Sequence, residues 1–372
     1  MKAKNIFKGD KFSVKNVEKS LIFCVLIFLI FMAFASNATA ITKDDALNTL
    51  IEDVMGPSGF GPTSAYMLSE PLQPGDNVSS LEGGCNRIVA NVEWFAYIDD
   101  MPNALFAHPV RCVFIDNATG NYIIYNASWP PEINDESIYL KKQNNEAISI
   151  YSILGQNYTQ AYNYSALNPP EGDYGDAPDE QDAYYNLTGK FPTLYNTSNS
   201  RFNQPGANVR NTSHAMLGFS VSRETDAKDP ADADGAPNLV DNDYDDRMFV
   251  IIENTTARLA FDVTVDPSAP DMTWYVNVLI DLDQNGSWQN GTMEEWVIVN
   301  LNITDNVSIG TTTTIITPGF TWWNGSVNPS PSWMRVLLSN ETVNETFYNN
   351  DWDGSGNFSS GEVEDFFVFL TE

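Results

Sequence analysis

Oxygen-bearing side chains alternate along a stretch near the C-terminus, where Asp351, Asp353, Ser355, Asn357, Ser359 and Glu362 occur in DWDGSGNFSSGE. They fill positions 1, 3, 5, 7, 9 and 12 of an EF-type calcium loop, with Gly356 at position 6. Hard cations want several oxygens, glycine permits the sharp turn that lets alternate side chains converge, and a final carboxylate can close the shell with both its oxygens. Phe358 then points away, into apolar packing. No helical pattern flanks the loop, which argues against a paired EF-hand. Calcium is the expected cofactor, with these six residues as ligands.

Catalytic chemistry is harder to find. The chain has only two histidines, His108 and His214, and no HExxH, GxSxG or P-loop sequence. A lone histidine is more often structural than catalytic. Carboxylate pairs of the kind that cleave glycosides occur throughout a chain this acidic and single out nothing. Trp322 and Trp323, adjacent in a turn between two strands, could stack on a sugar ring or fill the edge of a sheet. No enzyme is therefore expected, and an exported carbohydrate-active hydrolase or carbohydrate-binding protein is the alternative.

The calcium loop runs into Gly361-Glu362-Val363-Glu364-Asp365, and from here the chain resembles the GEVED domain of secreted and surface proteins. The family's opening DYGDAPD stands at Asp173 to Asp179, its Pro-Thr-Leu at Pro192 to Leu194, and its His before Leu-Gly at His214, Leu217 and Gly218. An Asp-rich run containing Asp241, Asp243 and Asp245 follows, then DxDxNGxW, supplied by Asp281, Asp283, Asn285, Gly286 and Trp288. The chain departs from the family after the acidic run, where Arg247 and Met248 replace the usual Gly-Val. The resemblance spans residues 173–372. It implies a calcium-stabilised β-domain on an exported protein, without enzymatic activity of its own, and adds Asp241, Asp243, Asp245, Asp281, Asp283 and Asn285 to the expected metal ligands.

The N-terminus points to export. Six lysines precede an apolar run from Leu21 to Ala35, and Ala38-Thr39-Ala40 offers a small-residue cleavage site, so residues 1–40 read as a signal peptide. An uncleaved membrane anchor is the alternative. The formal charge is −30 for the whole chain and about −34 once that segment is gone, a surface that repels nucleic acid and anionic lipid and attracts divalent cations. Seventeen Asn-x-Ser/Thr sequons follow residue 40, among them Asn77, Asn117, Asn211, Asn254, Asn290 and Asn344, a density expected of an N-glycosylated exported protein. Cys24 leaves with the signal. Cys85 and Cys112 remain and can form a disulfide in an oxidising exterior, or persist as two buried thiols.

The elements that must position these groups are mostly strands. Residues 41–154 read as a small α+β domain: a helix capped by Thr42 and ended at Gly56-Pro57, a strand over Arg87 to Ile98, a hairpin of Val110 to Asp116 with Asn121 to Asn126, and a second helix over Glu136 to Leu154. Residues 155–172 read as an Asn-, Tyr- and Pro-rich linker. Residues 173–372 contain seven stretches of strand composition and no helix, the pattern of an antiparallel β-sandwich. They run 247–253, 257–265, 272–281, 296–303, 307–316, 333–339 and 363–370. Trp274, Val276, Val278 and Ile280 should face the core, with Tyr275, Asn277 and Leu279 opposite. Arg335 should meet Glu364 or Asp365 on the last strand as an exposed pair of small value, about 0–1 kcal/mol. The expected whole is a glycosylated secreted or cell-surface protein, structural or adhesive. Its expected partners are surface glycans or envelope proteins, not nucleic acid, and it meets the membrane only through a retained N-terminal segment.

Overall fold

A computed structural model describes residues 40–56, 63–102, 104, 107–153, 172–195, 197–219, 221, 248–289, 294–322 and 331–368. The expected signal peptide, except Ala40, and linker, except Gly172, lie outside these residues.

The molecule is built mostly from antiparallel sheets, as the strand-rich sequence implied. The largest runs in the order Ala215–Leu217, Thr256–Val265, Met248–Glu253, Ala147–Ile153, Ser64–Leu68, Glu93–Asp99, Val110–Asp116, Tyr122–Ala127, and Thr312–Ile316 and Phe320–Thr321 also pair with Thr256–Val265. A four-stranded sheet, Trp296–Asn302, Tyr275–Ile280, Ser332–Ser339, Gly361–Val368, packs against its C-terminal half. Alternation along each strand fills the space between them. Val250, Leu259, Phe261 and Val263 from one sheet meet Val276, Val278, Ile280, Val336, Leu338 and Phe366 from the other. This is the sandwich, and each of the seven expected stretches contributes a strand to it.

The large sheet also crosses from residues 41–154 into residues 173–372. Ala147–Ile153 pairs with Met248–Glu253 in a five-residue antiparallel register centred on Tyr151↔Val250. Phe249, Ile251 and Ala260 share a core with Ala65, Met67, Ile148 and Ile150. A short N-terminal helix covers that face. Thr42 and Asp45 cap Lys43–Thr49 reciprocally, a π-helical turn continues over Leu50–Met55, and Leu47, Leu50, Ile51 and Val54 are buried on the sheet.

Two sequence expectations fail here for identifiable reasons. Glu136 to Leu154 is not one helix: a two-residue strand and a helix at Ile138–Gln143 end at Asn144 and Asn145, and Ala147–Ile153 is a central strand. Its β-branched Ile148 and Ile150 suit a pleated surface, and Asn145 takes a φ of 60° that asparagine tolerates. Leu279, expected on an open face, is buried, because the four-stranded sheet carries a second apolar layer. There Leu279, Leu337, Val363 and Phe367 pack on Phe191, Trp288, Trp352 and Phe358. Cys85 and Cys112 are joined in a disulfide in the N-terminal half.

Candidate metal centre

The Tyr275–Ile280 and Trp296–Asn302 strands are antiparallel neighbours, so the end of the first lies beside the start of the second. Asp281 follows the first strand and Glu295 precedes the second, tied by the Ile280 amide donating to the Glu295 carbonyl at 2.9 Å. Asp283 comes from the turn between. The three carboxylates place an oxygen each within 4.8 Å of one another, and Asp281 and Glu295 are buried.

The turn is wound around Asp281. Gln284 and Gly286 take φ values of 56° and 80°, which turns successive backbone amides inward. The Asn285 amide donates to Asp281 Oδ1 at 3.0 Å and to Asp283 Oδ1 at 3.2 Å, and the Gly286 amide donates to Asp281 Oδ2 at 2.9 Å. The Tyr184 hydroxyl, from the hairpin of Asp179–Tyr184 and Leu187–Lys190, also donates to Asp281 Oδ2, at 2.9 Å. Glu295 Oε1 accepts from the Leu282 amide at 3.1 Å, while its Oε2 is buried with no hydrogen-bond partner.

Burial raises the pKa of both Asp281 and Glu295, and the neighbouring carboxylates add to the effect. Leaving a buried carboxylate oxygen unpartnered is costly, and three carboxylates packed this closely resist simultaneous ionisation. A divalent cation answers both. The donor set is all oxygen, as calcium prefers, so Asp281, Asp283 and Glu295 fit a hard cation.

Of the residues the sequence singled out, Asp281 and Asp283 come together here. Asn285 contributes its backbone amide. Glu295 escaped the sequence reading, which took Trp296 onward as a strand without asking what its antiparallel neighbour would bring beside Glu295.

The six residues at 351–362 make several separate contacts. Asp351 Oδ2 accepts from the Arg201 guanidinium at 2.6 Å. Buried Asp353 accepts from the Arg201 amide at 2.9 Å and from Ser200 Oγ at 3.1 Å, and its other oxygen accepts from the Ser355 amide. Exposed Ser359 donates to Glu341 at 2.9 Å, and Asn357 is exposed. Within it, Asn357–Phe358 pairs in parallel with Asn208–Val209. Glu362 turns elsewhere, to a second acidic group with Asp173 and Glu364, all three buried. Its Oε2 accepts from the Leu217 amide, and Asp173 Oδ2 accepts from the Val363 amide at 2.8 Å. Asp241, Asp243 and Asp245 lie outside the described residues.

Residues 275–369 match the model of the GEVED domain. This chain carries a GEVED domain. The match begins with the strand that leads into Asp281 and ends just beyond the Gly361–Val368 strand, so the candidate metal centre lies inside the GEVED domain. The DYGDAPD segment precedes it in sequence yet is built into it, through Asp173 to Val363 and through the Ala177 amide donating to Asp365 Oδ2 at 2.7 Å. No curated protein and no solved structure matches the chain.

Two further expectations are corrected. Arg335 and Asp365 are not an exposed pair; both side chains are fully buried, and the guanidinium lies over Trp288 at 4.6 Å. The second apolar layer covers them, which a two-layer sandwich does not anticipate. Trp322 is not presented to solvent: it is 5 % exposed and packs in the core between the sheets, while Trp323 lies outside the described residues. The histidines sit apart from both acidic groups. His108 pairs with Asp99 at 2.9 Å and His214 meets Ser360 at 3.0 Å.

Proposed function

We propose that this is an exported, N-glycosylated, calcium-stabilised surface or secreted protein with a structural or adhesive binding role. The observation that carries the reading is the group of buried Asp281 and Glu295 with half-buried Asp283, with a carboxylate oxygen of Glu295 left without a hydrogen-bond partner. Calcium bound there would neutralise the cluster; the chain's own part is to hold three carboxylates and the 282–286 backbone in place around it. Millimolar calcium, an extracellular concentration, suits a site of about 10⁻⁴ to 10⁻³ M affinity.

Other features support the same reading. The basic-then-apolar N-terminus and the sequon density suit export, and Asn77, Asn254 and Asn344 are exposed, as glycan acceptors must be. A disulfide suits an oxidising compartment. A rigid, clamped sandwich can present its loops to surface glycans or envelope proteins with little ordering cost. Fractionation of the producing cells with and without chelator, with mass spectrometry of the N-terminus and glycopeptides, tests the proposal. The protein should lie in the envelope or medium, processed near residue 40 and glycosylated. An unmodified protein in the cytosol would overturn it.

A further inference from the structure

The Tyr122–Ala127 strand ends the large sheet, and among the described residues no strand pairs with its outer side. An open edge offers unpaired backbone groups to any other chain, and folds blunt such edges with charge, proline, bulges or a covering segment. The first three are missing here. The strand reads Tyr-Ile-Ile-Tyr-Asn-Ala, without charge or proline, and its six residues pair with Val110 to Ile115 with no break in register. Tyr122, Ile123 and Ile124 are 39, 53 and 38 % exposed. An uncharged, β-prone, apolar edge of this kind is an aggregation hazard.

Among the described residues, covering is partial. The loop before Cys85 reaches only the strand's end, where a Cβ on Gly84 would lie 2.6 Å from the Asn126 carbonyl oxygen. Among the described residues the remaining device is Asn126 itself. It is exposed, heads the sequon Asn126-Ala127-Ser128, and shares a face with Ile124 and Tyr122 by strand alternation. Its register partner is Arg111, on the flank of the sheet where the N-terminal helix packs.

We propose that Asn126 carries an N-linked glycan that covers this open edge and keeps the chain from pairing with copies of itself. The inference rests on the glycoprotein reading above. The amide Nδ2 would attack the anomeric carbon of a glycosyl phosphate donor, forming the C–N bond as the C–O bond to phosphate breaks, with the amide proton lost to base.

The test uses protein isolated from the cells that make it, with glycopeptide mass spectrometry and light scattering. Asn126→Gln and Ser128→Ala each remove the sequon, and Asn254→Gln removes an exposed sequon in a turn as a control. We expect a glycan on Asn126, a rise of about twofold or more in particle mass in both edge variants, no rise in the control, and return to the parent mass when Ile124→Lys is added to Asn126→Gln. Glycans on other sequons with Asn126 bare would overturn this inference and leave the glycoprotein reading standing; a chain with no glycan anywhere would overturn both. Edge variants that keep the parent mass would overturn the shielding role.

Discussion

Arg335 and Asp365 face each other across two neighbouring strands as a fully buried ion pair, Nε to Oδ1 at 2.7 Å and Nη2 to Oδ2 at 2.5 Å. The guanidinium's other donors are used as well. Nη1 donates to the Pro192 and Gly354 carbonyls at 2.8 and 2.7 Å, and Nη2 to Thr193 Oγ1 at 2.8 Å. A single planar cation thus fastens the 192–193 segment and the turn at Gly354 onto the last strand of the GEVED domain. Gly175 lies in the same contact; a Cβ there would sit 2.7 Å from Arg335 Nη2.

Removing one member of this pair strands the other in a dry site. Asp365→Asn or Arg335→Met should destabilise the fold by about 3–5 kcal/mol, measured as a drop in denaturation midpoint. Arg335→Lys should recover little of it, because an ammonium cannot reproduce the planar fork. A loss below about 1 kcal/mol, as for an exposed pair, would contradict the description.

The disulfide closes a sequence separation of 27 residues and ties the Cys85 loop to the Val110–Asp116 strand. Cys85→Ala with Cys112→Ala should cost about 3–4 kcal/mol on the chain-entropy account. Thermal unfolding of the double variant under oxidising conditions checks this. Reduction should lower the parent's Tm and leave the variant's unchanged.

What could be read from the sequence followed from local pattern. Thr42 announced the first helix, alternating apolar residues announced the sandwich strands, and the turn at 117–120 announced the hairpin between Val110–Asp116 and Tyr122–Ala127. What could not be read depends on residues far apart in the chain. Glu295 joins Asp281 only because two strands pair, and Asp173 reaches Glu362 and Glu364 only once the DYGDAPD segment folds over the sheet. At 351–362 the oxygens recur at calcium-loop intervals, and the pairing of Asn357 and Phe358 with Asn208 and Val209 is a long-range contact that spacing does not show.

Glu295→Gln keeps the shape of the side chain and removes its charge. In chelator the variant should be more stable than the parent, since fewer carboxylates repel one another. In calcium it should be less stable, having lost a ligand. Paired thermal melts of parent and variant check the reversal; a shift of the same sign in both conditions would speak against metal ligation by Glu295.

The metal-free cluster also sets a pH dependence. Burial and the neighbouring carboxylates push Asp281 up to about 7 and Glu295 up to about 10, above their unfolded values near 4, so the fold favours the protonated acids. The associated stability is fully present below the unfolded values and is lost as pH rises through about 7 and on to about 10. Tm in chelator should therefore fall over that interval. The gain in Tm from added calcium should grow over the same interval, and melts across pH with and without calcium would check it.

The central claim is that a calcium ion held by Asp281, Asp283 and Glu295 stabilises the GEVED domain. The most direct measurement is the Tm of the purified glycoprotein near neutral pH in excess chelator and in millimolar calcium. The account predicts a higher Tm in calcium, rising with concentration as mass action requires and abolished in an Asp281→Asn, Glu295→Gln double variant. The same Tm in chelator and in calcium would contradict it.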